Sequence, residues 1–159
     1  MKQVMDIFSQ TALEICEGQQ WDMEFETRND VTVPEYMEMI RLKTSVLLSA
    51  ALKIGAVLGG ASEDDARKLY DFGIKMGLAF QLQDDYLDVY GDSKVFGKNI
   101  GGDILCNKKT FMLINALALA DGIQRKELEK WIASTAFCPE EKIKAVTCLL
   151  YTSPSPRDV

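Results

Sequence analysis

Apolar residues recur at helical spacing over most of the chain, and no stretch shows the alternation typical of a β-strand. The pattern and its breaks predict helices over about residues 2–18, 34–58, 62–90, 108–121, 124–136 and 139–151. We expect Gly18 to end the first helix and Pro34 to be the first residue of the second, where its fixed φ suits a first turn. Ser62 is expected to cap the third helix, with Asp65 facing it. The sequence therefore predicts an all-α fold.

The segments between these helices are a linker at residues 27–33 and a loop rich in glycine and lysine at residues 92–109. The second half of helix 34–58 is apolar or small nearly all round, which predicts a largely buried helix. Gly73 and Gly77 predict close packing against another helix. The last eight residues, TSPSPRDV (152–159), break the helical pattern with two Ser-Pro steps.

Composition narrows the classes of function. The chain has 159 residues, of which 47% are apolar and 26% charged, as in a soluble protein with one sizeable core. Its net charge of −6 disfavours general binding to nucleic acid or to an anionic membrane. It has no histidine, which excludes Ser-His-Asp systems and histidine metal sites. Any chemistry must therefore depend on carboxylates and lysines.

The cysteines and the apolar stretches indicate a cellular setting. The four cysteines are widely spaced, which favours neither a zinc site nor a redox pair (Cys16, Cys106, Cys138 and Cys148). Residues 1–15 are amphipathic and unlike a secretory signal. The longest apolar stretch, Val46–Leu58, is interrupted by polar residues and glycine, so we expect no membrane span. Reduced thiols and a cytoplasmic location are the expectation.

One helix end carries a group of carboxylates. Asp84 and Asp88 lie one turn apart on the predicted helix, and Asp85 lies about 100° round from Asp84. Like charges at the carboxyl end of a helix are unfavourable, and a bound cation would remove that cost. Oxygen ligands on one face suit a Mg²⁺ ion that keeps waters and shares a substrate phosphate. The alternative is a solvated acidic patch, but the apolar flanks of this segment argue against it.

Lysines near this motif suggest an anionic ligand. Lys98 and Lys108 lie in the glycine loop, from which their ammonium groups can reach a diphosphate. By itself a solvated basic loop is the better interpretation, and the position of the loop directly after the aspartates shifts the balance. Lys43, followed by Thr44, stays ambiguous from spacing alone.

Four blocks occur in one order along the chain: Gly18-Gln19-x-x-Asp22, Lys43-Thr44, Phe80-Gln81-x-x-Asp84-Asp85-x-x-Asp88 and Gly97-Lys98-x-x-Gly101-x-Asp103. Together they resemble the trans-isoprenyl diphosphate synthases (polyprenyl synthetases), the family of farnesyl and geranylgeranyl diphosphate synthases. That family has two Asp-rich motifs, and only the second is present. We therefore interpret residues 1–151 as the C-terminal part of a single isoprenoid synthase domain, with the N-terminal half of the helical bundle missing. Residues 152–159 are interpreted as a tail outside the family pattern, with foreign sequence as one explanation.

The resemblance implies a role for each matched residue. Asp84 is expected to bind Mg²⁺, with Asp85 and Asp88 supporting it directly or through water. Lys43 and Lys98 are expected to contact the allylic diphosphate, with Lys108 assisting. The residues expected beside the developing allylic cation are Thr44 and Gln81, and Phe80 is expected near the isopentenyl substrate.

The implied reaction is a head-to-tail condensation. The allylic diphosphate ionises, the isopentenyl double bond attacks the cation, and a proton is lost to the released diphosphate. The whole enzyme is expected to be a homodimer, whereas this chain alone is expected to be incomplete and inactive. Two alternatives stay open: a non-catalytic helical subunit that pairs with a complete synthase, and part of a terpene cyclase. The intact metal and lysine positions argue against the first, and the Lys43-Thr44 and Gly97-Lys98 blocks argue against the second.

Overall fold

The computed structural model describes residues 2–97 and 100–152 of the chain. Within these residues every regular element is helical, which confirms the predicted all-α class. The chain divides into two compact units. The first comprises the residues up to 29 together with 34–82, and the second comprises residues 30–33 together with those from 83 onward. No helix of the described residues combines the length and the apolarity that a bilayer crossing needs.

The first unit contains helices α1 (Lys2–Thr27), α2 (Val33–Ile40) and α3 (Val46–Leu58), and most of α4 (Glu63–Tyr90). The predicted cap of α4 is confirmed. Ser62 Oγ accepts a hydrogen bond from the backbone N–H of Asp65 at 3.1 Å and donates one to Asp65 Oδ2 at 2.8 Å. The first of these bonds satisfies a backbone donor that the first turn of a helix leaves open.

Helix α1 does not end at Gly18 as predicted but continues to Thr27. A Cβ atom on Gly18 would lie 2.5 Å from the backbone nitrogen of Lys43 and 2.8 Å from Cβ of Leu42. No real Cβ makes such contacts, so only glycine lets α1 approach this backbone. The glycine is thus required by packing inside a helix, at a cost in helix propensity of about 1 kcal/mol.

The helix predicted for residues 34–58 is confirmed as an unbroken helical segment, but it is not α-helical throughout. A π-helical turn at Arg41–Ser45 separates α2 from α3, and its wider ring is closed by the backbone N–H of Val46, which donates to the carbonyl oxygen of Arg41. Such turns are rare and frequent at functional sites. The predicted Lys43-Thr44 pair lies within this turn. Pro34 is the second residue of α2 instead of the first, since that helix begins at Val33.

Helix α4 packs tightly against α3 and against the π-helical turn that precedes it. A Cβ atom on Gly73 would lie 2.6 Å from Cα of Ser49, and one on Gly77 would lie 2.6 Å from Cα of Ser45. This confirms the close packing predicted for the two glycines.

The expectation that α3 is largely buried is wrong. Its buried residues are Val46, Ser49 and Ala50, whereas Leu47 and Leu58 are 58% and 72% exposed. Apolar residues all round a helix predict burial only when neighbouring elements cover every side.

The second unit contains α5 (Ser93–Phe96), α6 (Gly102–Leu105), α7 (Phe111–Leu119), α8 (Gly122–Ala133) and α9 (Pro139–Thr152). The three predicted C-terminal helices are confirmed with shifted ends, and the predicted loop at residues 92–109 holds two short helices. Asp121 begins α8 with a capping box completed by Gln124. The buried core of this unit consists of Val89, Ile104, Leu113, Ala116, Leu128 and Val146.

The boundary predicted between residues 151 and 152 stays a prediction. Helix α9 includes Thr152, and the rest of the predicted tail, residues 153–159, lies outside the described residues.

Candidate functional site

The first unit brings two predicted site residues together. Thr44 Oγ1 donates a hydrogen bond to Oε1 of Gln81 at 3.3 Å, across 37 residues of sequence. Thr44 comes from the π-helical turn and Gln81 from α4. The contact fixes the hydroxyl hydrogen of Thr44, so its oxygen lone pairs face elsewhere.

Lys43, the other residue of the predicted pair, forms an ion pair with α1. Its Nζ lies 2.5 Å from Oδ2 of Asp22, and 36% of the Lys43 side chain and 20% of the Asp22 side chain are exposed. Asp22 is part of the first of the four sequence blocks, but the sequence alone predicted no role for it. The available signal was the spacing of Gly18 and Asp22, which puts them on one face of α1.

Phe80 is 64% exposed in the described chain. An aromatic side chain of this size contributes to stability mainly when it is buried, so here it adds little to the packing of the first unit. Its surface is open to contact by an apolar group.

The three aspartates of the Asp-rich motif belong to the second unit. Asp85 is almost fully buried at 1% exposure, whereas Asp84 and Asp88 are half-buried. Asp88 Oδ2 accepts a hydrogen bond from the backbone N–H of Asp103 at 3.0 Å, and the backbone oxygen of Asp88 accepts one from Gly101 at 2.7 Å. Gly101 has a φ of 85°, a left-handed conformation that glycine adopts readily. The Asp-rich motif and the glycine-loop motif therefore meet at Asp88.

Negative charge is concentrated around Asp103. Burial raises the pKa of its carboxyl group, and the charges of Asp88 and Asp85 raise it further. Lys108 acts in the opposite direction, with Nζ 3.4 Å from Oδ1 of Asp103. A cation near these carboxylates would relieve the repulsion between them.

No three acidic or sulfur side chains of the described residues are close enough together to form a closed metal site. The carboxylate oxygens of Asp84 and Asp88 nevertheless fit Mg²⁺, which is commonly held by one or two carboxylates and completes its shell with waters and substrate phosphates. Lys98, one of the three lysines predicted to contact the diphosphate, lies outside the described residues.

A buried lysine that the sequence did not single out lies in the second unit. Lys142 of α9 is 1% exposed, and its Nζ donates to Oδ1 of Asn107 at 2.7 Å. It also lies 4.2 Å from the ring centre of Phe137. Burial lowers the pKa of Lys142. Most helical lysines are solvated, so no pattern in the sequence marked this one.

Asn107 connects the segment that carries Lys108 to its surroundings. It has a left-handed φ of 53°, and its Nδ2 donates to the backbone oxygen of Ile132 at 3.0 Å. The Nζ of Lys109 donates to the backbone oxygen of Asn107 at 3.3 Å. Lys109 is buried, so of the two adjacent lysines Lys108 is the one that reaches Asp103.

Comparisons with known proteins agree with these features. The family model described as polyprenyl synthetase matches residues 1–149. The chain is 52% identical over 112 residues to a geranylgeranyl diphosphate synthase of Methanosarcina mazei, covering 70% of this chain and 35% of the relative. A crystal structure of a geranylgeranyl pyrophosphate synthase matches with a TM-score of 0.87 and 47% identity, over 94% of this chain and 47% of that one.

A geranylgeranyl pyrophosphate synthase of Corynebacterium glutamicum, solved as a complex with isoprenyl diphosphate and magnesium, matches with a TM-score of 0.84 and 27% identity. The match covers 93% of this chain and 42% of that one. The chain thus spans less than half the length of each of these proteins. The family match nevertheless covers nearly all of the described residues, so this chain belongs to the polyprenyl synthetase family.

Proposed function

We propose that the chain supplies the diphosphate-binding part of an enzyme that condenses an allylic diphosphate with isopentenyl diphosphate, head to tail, into a longer polyprenyl diphosphate. The observation that carries this proposal is the contact between Asp88 and Asp103, 3.0 Å from Oδ2 to the backbone nitrogen. It joins the two motifs that the reaction needs, one rich in carboxylates and one that carries lysines. The proposed whole enzyme is a homodimer.

Asp84 is the proposed direct ligand of Mg²⁺, with Asp85 and Asp88 supporting it directly or through water. The related C. glutamicum structure holds magnesium together with isoprenyl diphosphate, which supports magnesium as the metal in this proposal. A bound Mg²⁺ ion would supply the positive charge that stabilises a leaving diphosphate. The chain's own contribution is a group of carboxylates whose mutual repulsion favours binding a cation.

Lys43 and Lys108 are the proposed diphosphate contacts among the described residues, and Lys98 has the same proposed role outside them. More than a third of each of these two side chains is exposed, 36% for Lys43 and 35% for Lys108. Each ammonium group already lies beside a carboxylate. A diphosphate that binds either lysine would therefore meet a cation that is already held in place.

Thr44 and Gln81 are proposed to lie beside the developing allylic cation. Because Thr44 donates its hydroxyl hydrogen to Gln81, the oxygen of Thr44 can turn its lone pairs towards positive charge. Phe80, which is exposed, is proposed to contact the isopentenyl group. The proton lost after carbon–carbon bond formation goes to the released diphosphate in this scheme, so no histidine is required.

An assay of prenyl transfer in a chimera tests the proposal. The chain is fused to the part of the M. mazei synthase that it does not match, and incorporation of labelled isopentenyl diphosphate into a longer product is measured with geranyl diphosphate and Mg²⁺. We expect product from the chimera and none from the isolated chain. A chimera carrying Lys43→Met should be inactive, whereas one carrying Lys144→Met, at an exposed lysine of α9, should be active. A folded chimera without transfer activity would contradict the proposal.

A further inference from the structure

The ion pair between Lys43 and Asp22 fixes the position of the Lys43 ammonium group. The two side chains meet at 2.5 Å although they lie 21 residues apart. A lysine side chain has many rotamers, and a ligand that must immobilise one loses binding free energy. A lysine that is already held avoids this loss.

The geometry of α1 produces the pair. Gly18 and Asp22 are one turn apart on the same face of that helix. At Gly18 the helix contacts the backbone nitrogen of Lys43, where a Cβ atom would be only 2.5 Å away. One face of α1 thus holds Lys43 at two points, its backbone through Gly18 and its ammonium group through Asp22.

The pair remains accessible to a ligand. The side chains of Lys43 and Asp22 are 36% and 20% exposed. An ammonium group has three N–H donors, so it can bind Asp22 and an anion at the same time. A diphosphate therefore need not displace the carboxylate in order to bind.

We infer that Asp22 is a positioning residue for diphosphate binding: it holds the ammonium group of Lys43 ready for the substrate and does not touch the substrate itself. This inference rests on the proposed function, because it takes Lys43 as a diphosphate contact. It assigns the aspartate of the Gly18–Asp22 block a role in binding.

A double-mutant cycle tests the inference. Isothermal titration calorimetry measures the binding of methylenediphosphonate, a non-hydrolysable diphosphate analogue, to the full chain in Mg²⁺. We expect Asp22→Ala to weaken binding by about 3- to 10-fold. Asp22→Asn should weaken it less, since the amide oxygen accepts the hydrogen bond without the charge. In a Lys43→Met background, Asp22→Ala should have no further effect.

Controls separate positioning from folding. Glu17→Ala removes an exposed carboxylate from the same helix and should leave binding unchanged. Circular dichroism shows whether each variant is folded, and Asp22→Asn provides the test if Asp22→Ala does not fold. If Asp22 had a merely structural role, Asp22→Ala would weaken binding equally with and without Lys43. That result overturns the inference.

The failure of the proposed function has a different signature. If the unmodified chain binds no methylenediphosphonate in Mg²⁺, the proposed function is wrong and the inference falls with it. If the unmodified chain binds the analogue and the Asp22→Ala variant binds it equally well, only the inference is wrong.

Discussion

The carboxylate of Asp88 accepts a hydrogen bond from the backbone N–H of Asp103, with 3.0 Å between oxygen and nitrogen. This bond holds the start of α6 against the Asp-rich motif. Asp88 therefore provides an acceptor that orders the chain, and it also carries the charge that we propose supports the metal. Different substitutions can separate the two.

Asp88→Asn keeps an acceptor of nearly the same shape and removes the charge. We expect it to leave thermal unfolding close to that of the unmodified chain while weakening Mg²⁺-dependent binding of methylenediphosphonate by about 10- to 100-fold. Asp88→Ala also leaves the N–H of Asp103 without its partner, which should lower the free energy of unfolding by about 1–2 kcal/mol. Unchanged binding in Asp88→Asn would show that the charge of Asp88 has no part in metal binding.

Gly77→Ala should destabilise the first unit. Its new Cβ would lie 2.6 Å from Cα of Ser45, in the π-helical turn, and relieving that overlap should cost about 1–3 kcal/mol of unfolding free energy. Gly55→Ala is the matched control, because nothing lies within 4 Å of a Cβ at that position of α3, and there alanine should stabilise by about 0.5–1 kcal/mol. Urea denaturation measures both values. Equal effects would show that α4 does not pack against the π-helical turn as described.

Lys142 should make stability depend on pH in the alkaline range. Burial lowers its pKa in the folded chain below the ordinary value of 10.5. At a pH between this lowered pKa and 10.5, the unfolded chain binds more protons than the folded chain. The free energy of unfolding must then rise with pH in that interval. Lys142→Met removes this titration, so the unmodified chain should gain stability relative to the variant as the pH approaches 10.5.

Lys144→Met, at an exposed lysine of the same helix, controls for the loss of a charge. Denaturation at a series of pH values measures the differences. A constant difference between Lys142→Met and the unmodified chain would contradict the burial of Lys142.

Exposed apolar side chains should make the isolated chain self-associate or bind a hydrophobic dye. Large examples in the first unit are Phe8, Phe72 and Phe80, at 61%, 54% and 64% exposure, and extensive exposed apolar surface drives association. Removing residues 152–159 should change neither behaviour, since we propose that this tail lies outside the domain. A monomer in sedimentation that binds no dye would contradict the expectation.

Local chemistry determined which parts of the fold could be predicted. The start of α4 follows from Ser62 and Asp65, whose hydrogen bonds involve only neighbouring residues. The end of α1 was predicted wrongly, because glycine suits both a helix end and a close helix contact, and only the distance from Gly18 to Lys43 distinguishes them. The π-helical turn differs from an α-helix by one residue per ring, and no residue pattern marks it.

In the candidate site, too, features set by neighbouring residues could be predicted, whereas those set by distant contacts could not. The spacing of Asp84 and Asp88 follows from helix geometry, so their shared face could be predicted. The partners of Asp88 and Lys43 could not, since they depend on contacts across 15 and 21 residues of sequence. The burial of Lys142 is a further long-range property, which composition and spacing do not encode.

Calorimetric titration of the chain with methylenediphosphonate, in Mg²⁺ and again in a chelator, tests the proposed metal-dependent diphosphate site most directly. Binding should be measurable only with Mg²⁺, and Asp84→Ala should abolish that dependence. Asp64→Ala removes an exposed carboxylate at the other end of α4 and should leave the dependence intact. Equal binding with and without Mg²⁺, or metal-dependent binding that survives Asp84→Ala, would contradict the assignment of the aspartates.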